Sequence, residues 1–347
     1  MTPEKISQIR VAAYTGGRHV PGARYRLRQL VPALREFSVE VDEFAAPWGS
    51  YPPRTQVLRP AWLVGTLLSR LPHLARGRRC DITFLQREFV STLCTLEPLT
   101  RAPRLLDVDD AIWLSMGEGA AQRLSKLCDV VVCGNEFLAD VFSRWNSRVE
   151  ILPTAVDTER FHPIEEEQHC GALILGWSGT SGNLQYLHAI DRELAIVLAR
   201  HPHARLQIIC DRPPALQRVP ADRVEWIRWT AADEPGLVRA WTAGLMPLQN
   251  GPWERGKCSF KMLTYMASGI PSVVSPVGMN RKVLTLGHLG FGASTGADWV
   301  DALECVLTRP AEAAALGREA RRVAVAEFSL GVIAPRLASI LLRTAGR

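Results

Sequence analysis

What this sequence lacks excludes several classes of protein. Its eight cysteines are scattered without a Cys-x-x-Cys pair, which excludes a metal cluster or a disulfide framework and predicts a cytoplasmic protein. The most apolar stretch, residues 61–68, is far shorter than the roughly 20 residues that a membrane-spanning helix needs. The net charge is only +6, and no basic stripe with interleaved aromatic residues indicates a nucleic-acid partner.

Two sequence motifs are also missing. The chain has no His-Glu-x-x-His, and no Gly-x-Gly-x-x-Gly follows its first strand, so neither a zinc protease nor a dinucleotide site is indicated.

Lysine is also scarce, and its distribution is informative. The five lysines stand at positions 5, 126, 257, 261 and 282. Two of them fall within one short segment, which makes that segment a candidate for function.

The order of the predicted elements indicates two α/β domains. With 347 residues and 47% hydrophobic content, the chain is long enough for two cores. Short β-rich runs alternate with helical patterns in both halves, which is typical of doubly wound, Rossmann-like parallel sheets. We place the domains at residues 1–160 and 161–327, around a polar linker at 157–168, and expect a C-terminal helix at 328–347 to pack back on the first domain. Such domains bind ligands at the carboxyl ends of their strands.

The segment 253–278, WERGKCSFKMLTYMASGIPSVVSPVG, carries the strongest signal. It predicts a helix at 257–268, preceded by Gly256, with Lys257 and Lys261 on one face of its first turns. Two cations at the positive end of a helix dipole are unfavourable unless an anion binds there, and the free N–H groups also favour phosphate. We therefore predict a phosphate site. The alternative is that both lysines are solvated surface residues.

Polar or glycine-rich turns follow the first strand of each half. After Ile9–Thr15 come Gly16 and Gly17, which let backbone approach a ligand closely, or which form a purely structural turn. Arg24 and Arg26 open the next helix and are candidates to bind an anionic group, the alternative being a solvated face.

In the second half, Gly176-Trp-Ser-Gly-Thr-Ser-Gly-Asn183 ends a strand. Its glycines permit close approach, and its hydroxyls can bind phosphate oxygens.

Carboxylates cluster at another strand end, in Leu105–Ala111 (LLDVDDA). Three interpretations stay open: a general base or acceptor for sugar hydroxyls, an N-cap for the following helix, or an Asp-x-Asp metal site. Asp109 is the preferred residue for the site. Gln86-Arg87-Glu88 also ends a strand, a position from which side chains reach a ligand.

Taken together, these segments resemble the retaining glycosyltransferases of family 4, which have the GT-B architecture. The matching segments are PGARYR (21–26), FLQRE (84–88), LDVDDAIW (106–113), VVCGNEFLAD (131–140), ILPTAVDTERFHP (151–163), GWSGTSGN (176–183) and residues 245–278. The resemblance implies transfer of a sugar from a nucleotide-sugar donor, held mainly by the C-terminal domain, to an acceptor hydroxyl on the N-terminal domain. It also implies retention at the anomeric carbon, no metal and no cofactor beyond the nucleotide sugar as substrate.

The resemblance also implies roles for individual residues. Asp109 falls where many family members carry a histidine that contacts the donor sugar, and Thr264 falls where many carry a glutamate that holds the ribose. The expected catalytic residues are Asp109, Lys257 and Lys261. The expected donor-binding residues are Gly17, Ser178, Gly179, Thr180, Arg255, Gly256, Ser259, Thr264 and Gly278. The expected acceptor-binding residues are Arg24, Arg26, Arg87 and Asp110.

Two other functions fit the same pattern. One is a sugar-nucleotide epimerase of GT-B type, and the other is a non-catalytic protein that binds a nucleotide sugar or glycan. The sequence names no acceptor, so a glycan, a lipid-linked glycan and a small molecule are all open. Residues 59–79 mix apolar residues with terminal arginines, which predicts either peripheral contact with the inner face of a membrane or an ordinary packed helix broken near Pro72.

Overall fold

The computed structural model describes residues 8–18, 20–53, 55–164 and 173–347, without the side chains of Ser115 and Met116. The chain divides into two compact units. The first comprises Met1–Ala155, Gly256–Cys258 and Leu330–Arg347, and the second comprises Val156–Arg255 and Ser259–Ser329. Residues 165–168 of the predicted linker lie outside the described residues.

A parallel sheet forms the centre of the first unit. Its six described strands lie in the order β2-β1-β3-β4-β5-β6. They are β1 Ile9–Thr15, β2 Val39–Ala45, β3 Ile82–Gln86, β4 Arg104–Val108, β5 Val130–Cys133 and β6 Val149–Ile151. Strand β3 is buried along its whole length, as expected of a parallel strand covered on both faces.

Helices cover this sheet. They are α1 Pro21–Ala23, a π-helical turn Arg24–Arg28, α2 Val31–Glu36, α3 Arg59–Gly77, α4 Trp113–Met116, α5 Glu118–Leu127, α6 Glu136–Phe142 and, from the end of the chain, α15 Leu330–Thr344. Helix α15 contributes Ile333 and Leu337 to the same hydrophobic core as Ile9 and Leu27, so the C-terminus belongs to this unit.

The second unit repeats the architecture. Its six described strands are also parallel, in the order β12-β11-β10-β7-β8-β9. They are β7 Leu173–Gly179, β8 Ala204–Cys210, β9 Val224–Arg228, β10 Ala243–Met246, β11 Ser272–Val274 and β12 Gly290–Gly292. Because the strand order reverses between β7 and β10, the carboxyl ends of these two strands are the expected ligand position.

The helices of the second unit lie on both faces of its sheet. They are α7 Leu184–His188, α8 Asp191–Arg200, α9 Glu234–Val238, α10 Pro252–Arg255, α11 Phe260–Ala267, α12 Met279–Leu284, α13 Gly296–Thr308 and α14 Pro310–Val323. The α/β architecture with two doubly wound sheets confirms the fold predicted from the sequence.

Two local predictions are wrong, and one strand was not predicted. Helix α11 begins at Phe260, because Ser259 has a left-handed backbone (φ 54°), so Lys257 precedes the helix and does not share a face with Lys261. Helix α3 continues through Pro72. Strand β12 was not predicted, since two of its three residues are glycines.

We predict that Gly176→Ala destabilises the second unit by about 3 kcal/mol, because added volume in a packed core forces neighbours to shift. A Cβ atom at Gly176 would lie 1.7 Å from a ring carbon of Trp241, which is fully buried and donates from its indole Nε1 to Gln207 Oε1 at 2.6 Å. Urea denaturation measures the change. Gly182→Ala is the control, since a Cβ there meets no atom within 4 Å; equal stability of the two variants would contradict the prediction.

Candidate active site

Arg26 fills the core beneath the carboxyl end of β4. Its guanidinium donates from Nη2 and Nε to Asp107 Oδ1 at 2.5 and 3.1 Å, and from Nη1 to the carbonyl oxygen of Leu152 at 2.7 Å. The side chains of Arg26 and Asp107 are each 2% exposed. All three nitrogens are thus used inside the protein, and the structure replaces the predicted acceptor contact of Arg26 with a structural role.

The strand supported in this way leads directly to a cluster of three charged side chains. Arg87 donates from Nε to Asp109 Oδ1 at 2.8 Å and from Nη2 to both Asp109 Oδ1 and Asp110 Oδ2 at 2.5 Å. All three side chains are partly exposed. Arg87 has a positive φ of 60°, an uncommon backbone conformation for a residue with a side chain, and such conformations concentrate at functional sites.

The two carboxylates of this cluster titrate differently. Burial opposes ionisation of Asp109, but the charges of Arg87 and Arg26 outweigh it and lower its pKa below the ordinary value. Burial raises the pKa of Asp110, and the neighbouring Asp109 charge adds to the rise. Because one arginine serves two carboxylates, Asp109 stays ionised while Asp110 takes up a proton first.

These carboxylates pair with Arg87 and cap no helix. Helix α4 starts at Trp113 with Ile112 as N-cap and no side-chain cap, so the N-cap interpretation is wrong. Among the described residues, no three His, Cys, Asp or Glu side chains converge as a metal site.

A small polar pocket adjoins the cluster in the first unit. Gln86, Glu88 and Ser50 line it, and each is at least nine-tenths buried. Both amide atoms of Gln86, one carboxyl oxygen of Glu88 and the Ser50 hydroxyl are buried without a partner among the described atoms. Buried polar groups are normally hydrogen-bonded, so this pocket is prepared for hydroxyl groups or water.

Gly22 allows this pocket to lie close to the charged cluster, and burial raises the pKa of one acidic residue in the pocket. A Cβ atom at Gly22 would lie 2.7 Å from Gln86 Nε2 and 2.9 Å from Asp109 Oδ2. Burial raises the pKa of Glu88. The pocket thus places a carboxyl group of raised pKa near an ionised one.

The segment Gly256–Cys258 is held by the first unit. Asn135 Nδ2 donates to the carbonyl oxygens of Gly256 and Lys257 at 3.1 and 3.0 Å, and Cys258 Sγ donates to the carbonyl oxygen of Asp109 at 3.2 Å. A Cβ atom at Gly256 would lie 2.8 Å from the backbone nitrogen of Ala111. Gly256 therefore serves close packing here and does not begin a helix, contrary to prediction.

Lys257 lies close enough to Asp110 for its charge to lower the pKa of that carboxyl, against the larger effect of burial. The structure thus brings the predicted residues Asp109, Asp110, Arg87 and Lys257 into one neighbourhood of the first unit.

Two further predicted residues of the first unit are Gly17, after the end of β1, and Arg24, at the start of the π-helical turn. Gly17 has a φ of 144°, and its carbonyl oxygen accepts from Arg28 Nη2 at 2.9 Å. The guanidinium of the half-buried Arg24 lies 5.3 Å from the ring centroid of Tyr25.

In the second unit, Lys261 is fixed at the carboxyl end of β7. Its ammonium lies 4.0 Å from the ring centroid of Trp177, a cation–π distance. A Cβ atom at Gly179 would lie 2.6 Å from Lys261 Nζ, so only glycine leaves room for this arrangement. A cation is therefore held at the first turn of α11, where the helix dipole already favours an anion.

The residues around Gly179 divide into buried and exposed. Ser178 is buried, and its hydroxyl donates to Glu234 Oε1 at 2.6 Å, a structural contact. Thr180 is exposed, and its hydroxyl accepts from Asn183 Nδ2 at 2.9 Å. The neighbouring Ser181 hydroxyl also lies at the surface, where it donates to Asp211 Oδ2 at 2.8 Å.

Two more of the predicted donor-binding residues, Thr264 and Ser259, have buried side chains. The hydroxyl of the buried Thr264 donates to the carbonyl oxygen of Lys261 at 2.7 Å, and that of Ser259 donates to Asn280 Oδ1 at 2.6 Å. Both hydroxyls donate inside the unit, and their donor contacts stay predictions.

Gly278 and Arg255 lie against each other in the second unit. Gly278 has a φ of 52°, and a Cβ atom there would lie 2.9 Å from Arg255 Cα. Both the backbone conformation and the lack of space therefore exclude a side chain. The exposed Arg255 side chain donates to Asn250 Oδ1 at 3.0 Å. Gly278 thus positions the backbone from which Arg255 extends.

Two polar residues of these neighbourhoods were not predicted from the sequence: Ser50 and Glu234. Gln86 and Glu88 were indicated by their position at a strand end, without a role for either side chain. Ser50 and Glu234 lie in loops or at helix starts, where no pattern in the sequence shows that their side chains are buried.

We predict that Arg26→Met destabilises the protein by about 3–5 kcal/mol near neutral pH, since it leaves Asp107 charged and buried without a partner. Burial raises the pKa of Asp107. A carboxyl whose pKa is higher in the folded state stabilises that state when protonated, so the deficit shrinks as the pH falls towards the ordinary carboxyl pKa.

Urea denaturation at several pH values measures this effect, and Arg26→Met with Asp107→Leu is the matched control. The double variant should regain most of the lost stability and lose the pH dependence. A single variant as stable as the wild type would show that the ion pair does not support β4.

Comparison with known proteins places this fold. Residues 173–309 match the family model of glycosyl transferases group 1. Sucrose-phosphate synthase from Thermosynechococcus elongatus has a similar structure, with a TM-score of 0.74, 15% identity, and coverage of 97% of this chain and 99% of that chain. No curated protein matches the chain in sequence.

Two further solved structures are similar over nearly their whole length. HepE from Anabaena, in complex with UDP-glucose, has a TM-score of 0.68 at 13% identity, covering 97% of this chain and 100% of that chain. WaaG, a glycosyltransferase involved in lipopolysaccharide biosynthesis, has a TM-score of 0.68 at 14% identity, covering 95% of this chain and 99% of that chain. The chain therefore has the GT-B fold, and the matched residues 173–309, apart from Gly256–Cys258, lie in its second unit.

Proposed function

We propose that this protein transfers a sugar from a nucleotide-sugar donor to an acceptor hydroxyl, with retention at the anomeric carbon and without a metal. The observation that carries the proposal is the position of Lys261. It is a fixed cation at the carboxyl end of β7, inside the segment that matches glycosyl transferases group 1. Retention rests on the resemblance of the sequence motifs to family 4.

The second unit supplies the donor side in this proposal. Lys261 and Arg255 balance the charge that develops on the leaving diphosphate, with Thr180 as a hydroxyl donor to a phosphate oxygen. Lys257 of the first unit stays a candidate catalytic cation beside Asp110. Because Thr264 offers no carboxylate and its hydroxyl is engaged, we assign the ribose contact to no residue of α11. HepE is a complex with UDP-glucose, so UDP-sugars are the first donors to test.

Asp109 acts as a hydrogen-bond acceptor for a sugar hydroxyl. An efficient general base has a pKa near the working pH, whereas Arg87 holds the pKa of Asp109 below the ordinary value. An ionised carboxylate whose Oδ1 accepts from Arg87 can orient a hydroxyl well, but it takes the proton of that hydroxyl poorly. The role of Asp109 is therefore to position the sugar.

The acceptor side is the first unit. Arg24, Arg87 and Asp110 are candidate contacts, and the unpartnered atoms of Gln86, Glu88 and Ser50 suit neutral hydroxyl groups. Hydroxyl-rich acceptors such as glycans present such groups. The seven described cysteines are free thiols, which supports our assignment to a reducing, cytoplasmic compartment.

We predict that Lys261→Met lowers kcat with the competent donor by about 100-fold or more, as for other single groups that stabilise a transition-state oxyanion. It also weakens binding of the nucleoside diphosphate, measured by calorimetry. Nucleoside diphosphates and their sugars, UDP and UDP-glucose first, are screened by thermal shift to find the donor, since a tight ligand raises Tm. Lys282→Met is the matched control, because Lys282 is exposed on α12 of the same unit.

Wild-type turnover and affinity in the Lys261 variant would overturn the diphosphate assignment. Conversion of the donor without any acceptor would instead indicate an epimerase. Donor binding without turnover across a broad acceptor panel would indicate a binding protein.

A second prediction concerns Asp109→Asn. The variant keeps the donor affinity but lowers kcat by roughly 100-fold, the order expected when a substrate is no longer held in the reactive position. The ratio of wild-type to variant activity should change little with pH above the ordinary carboxyl pKa, because Asp109 is already ionised there in the wild type. Steady-state kinetics over a pH series measures both effects, with the exposed Asp222→Asn as control. Equal kcat values for the two variants would remove Asp109 from the mechanism.

A further inference from the structure

Helix α3 of the first unit carries an apolar stripe on its outer face. The exposed side chains with spacings of four and three residues are Val57, Ala61, Val64, Leu68, Leu71 and Ala75. These spacings place them on one face of the helix and of the short turn Gln56–Leu58 before it. We call these six residues the α3 stripe.

The α3 stripe is more exposed than a soluble helix normally leaves its apolar face. Val57 is 86% exposed, and Val64, Leu68 and Leu71 are each about half exposed. The opposite face of the same helix is the one that packs on the unit, through the buried Thr66, Arg70, Leu74 and Gly77. The helix therefore has its core contact already, and the stripe is a second apolar face that needs a partner.

An exposed tryptophan extends this surface. Trp48 lies against α3, where a Cβ atom at Gly65 would be 2.5 Å from the indole ring, and it is 59% exposed. Tryptophan side chains favour the boundary between lipid headgroups and acyl chains.

The charge around the stripe is of one sign. Residues 44–80 contain no aspartate or glutamate. Four exposed arginines lie at the two ends of α3: Arg59, Arg76, Arg78 and Arg79. None of them forms an ion pair with a described acidic side chain. A cationic rim around an apolar stripe complements an anionic lipid surface.

We propose that the α3 stripe and its arginines dock this protein on an anionic membrane surface. The helix lies in the plane of the interface, with Leu68 and Leu71 in the acyl boundary and the arginines at the headgroups. None of the described helices is long and apolar enough to cross a bilayer, so the contact is peripheral. The proposal does not depend on the activity proposed above, because none of the stripe residues or of these arginines is assigned to the donor or the acceptor.

Vesicle flotation of the full chain tests this proposal. The wild type should bind vesicles of phosphatidylcholine with phosphatidylglycerol at low salt, and should bind vesicles of phosphatidylcholine alone far more weakly. Added salt should release it, since the attraction is partly electrostatic. Failure to float with anionic vesicles at low salt, or equal binding to both vesicle types, would overturn the proposal.

Substitutions identify the face. Leu68→Glu with Leu71→Glu should weaken partitioning by about tenfold or more through lost apolar burial. The control pair Leu286→Glu and Val325→Glu changes the charge equally on exposed residues of the second unit and should leave partitioning nearly unchanged.

The arginines have a matched control of their own. Arg76→Gln, Arg78→Gln and Arg79→Gln together should weaken binding to anionic vesicles by roughly 100-fold, at about fivefold for each charge. The same changes at the exposed Arg200, Arg205 and Arg212 should have a much smaller effect. A wild-type dimer in sedimentation that the two glutamates dissolve, without vesicle binding, would assign the stripe to a second copy of this chain instead.

Discussion

The buried ion pair of Arg26 with Asp107 is the interaction on which the first unit depends. It stands at the carboxyl end of β4, and the chain leaves that strand directly into Asp109 and Asp110. A charge pair in the core is costly to desolvate and is retained only if both partners are well bonded. Here the cost is offset by three donors on one guanidinium, and the result is a rigid base for the charged cluster above it.

Asp109 and Asp110 are chemically alike, but their different positions shift their pKa values in opposite directions. Arg87 serves both, but Asp109 accepts from two of its nitrogens and also feels the charge of Arg26, so it remains ionised, while Asp110 has its pKa raised by burial and by its neighbour. Because Asp109 stays ionised, it can orient a hydroxyl. Because Asp110 takes up a proton first, the site can tolerate a change in charge nearby. That division of roles is the strongest chemical feature of the first unit.

The second unit depends on the absence of side chains as much as on their presence. Gly179 leaves the space in which Lys261 lies over Trp177, and Gly278 lets the chain pass against the backbone of Arg255. Each glycine places a cation where the sequence predicted a phosphate site. Lys257, by contrast, belongs to the first unit, because Ser259 interrupts the helix that the sequence pattern extended to it.

The sequence by itself determined the alternation of strands and helices, hence two parallel sheets, because hydrophobic periodicity and turn residues are local properties. It also identified the strand ends and the cations from which the candidate site is built. Only the tertiary structure decided which polar side chains face inwards. Arg26 and Ser178 look like ligand residues in the sequence but are bonded inside the core, whereas Gln86 and Glu88 have unpartnered atoms. Burial and hydrogen bonding depend on residues distant in sequence, so no local pattern could have separated these cases.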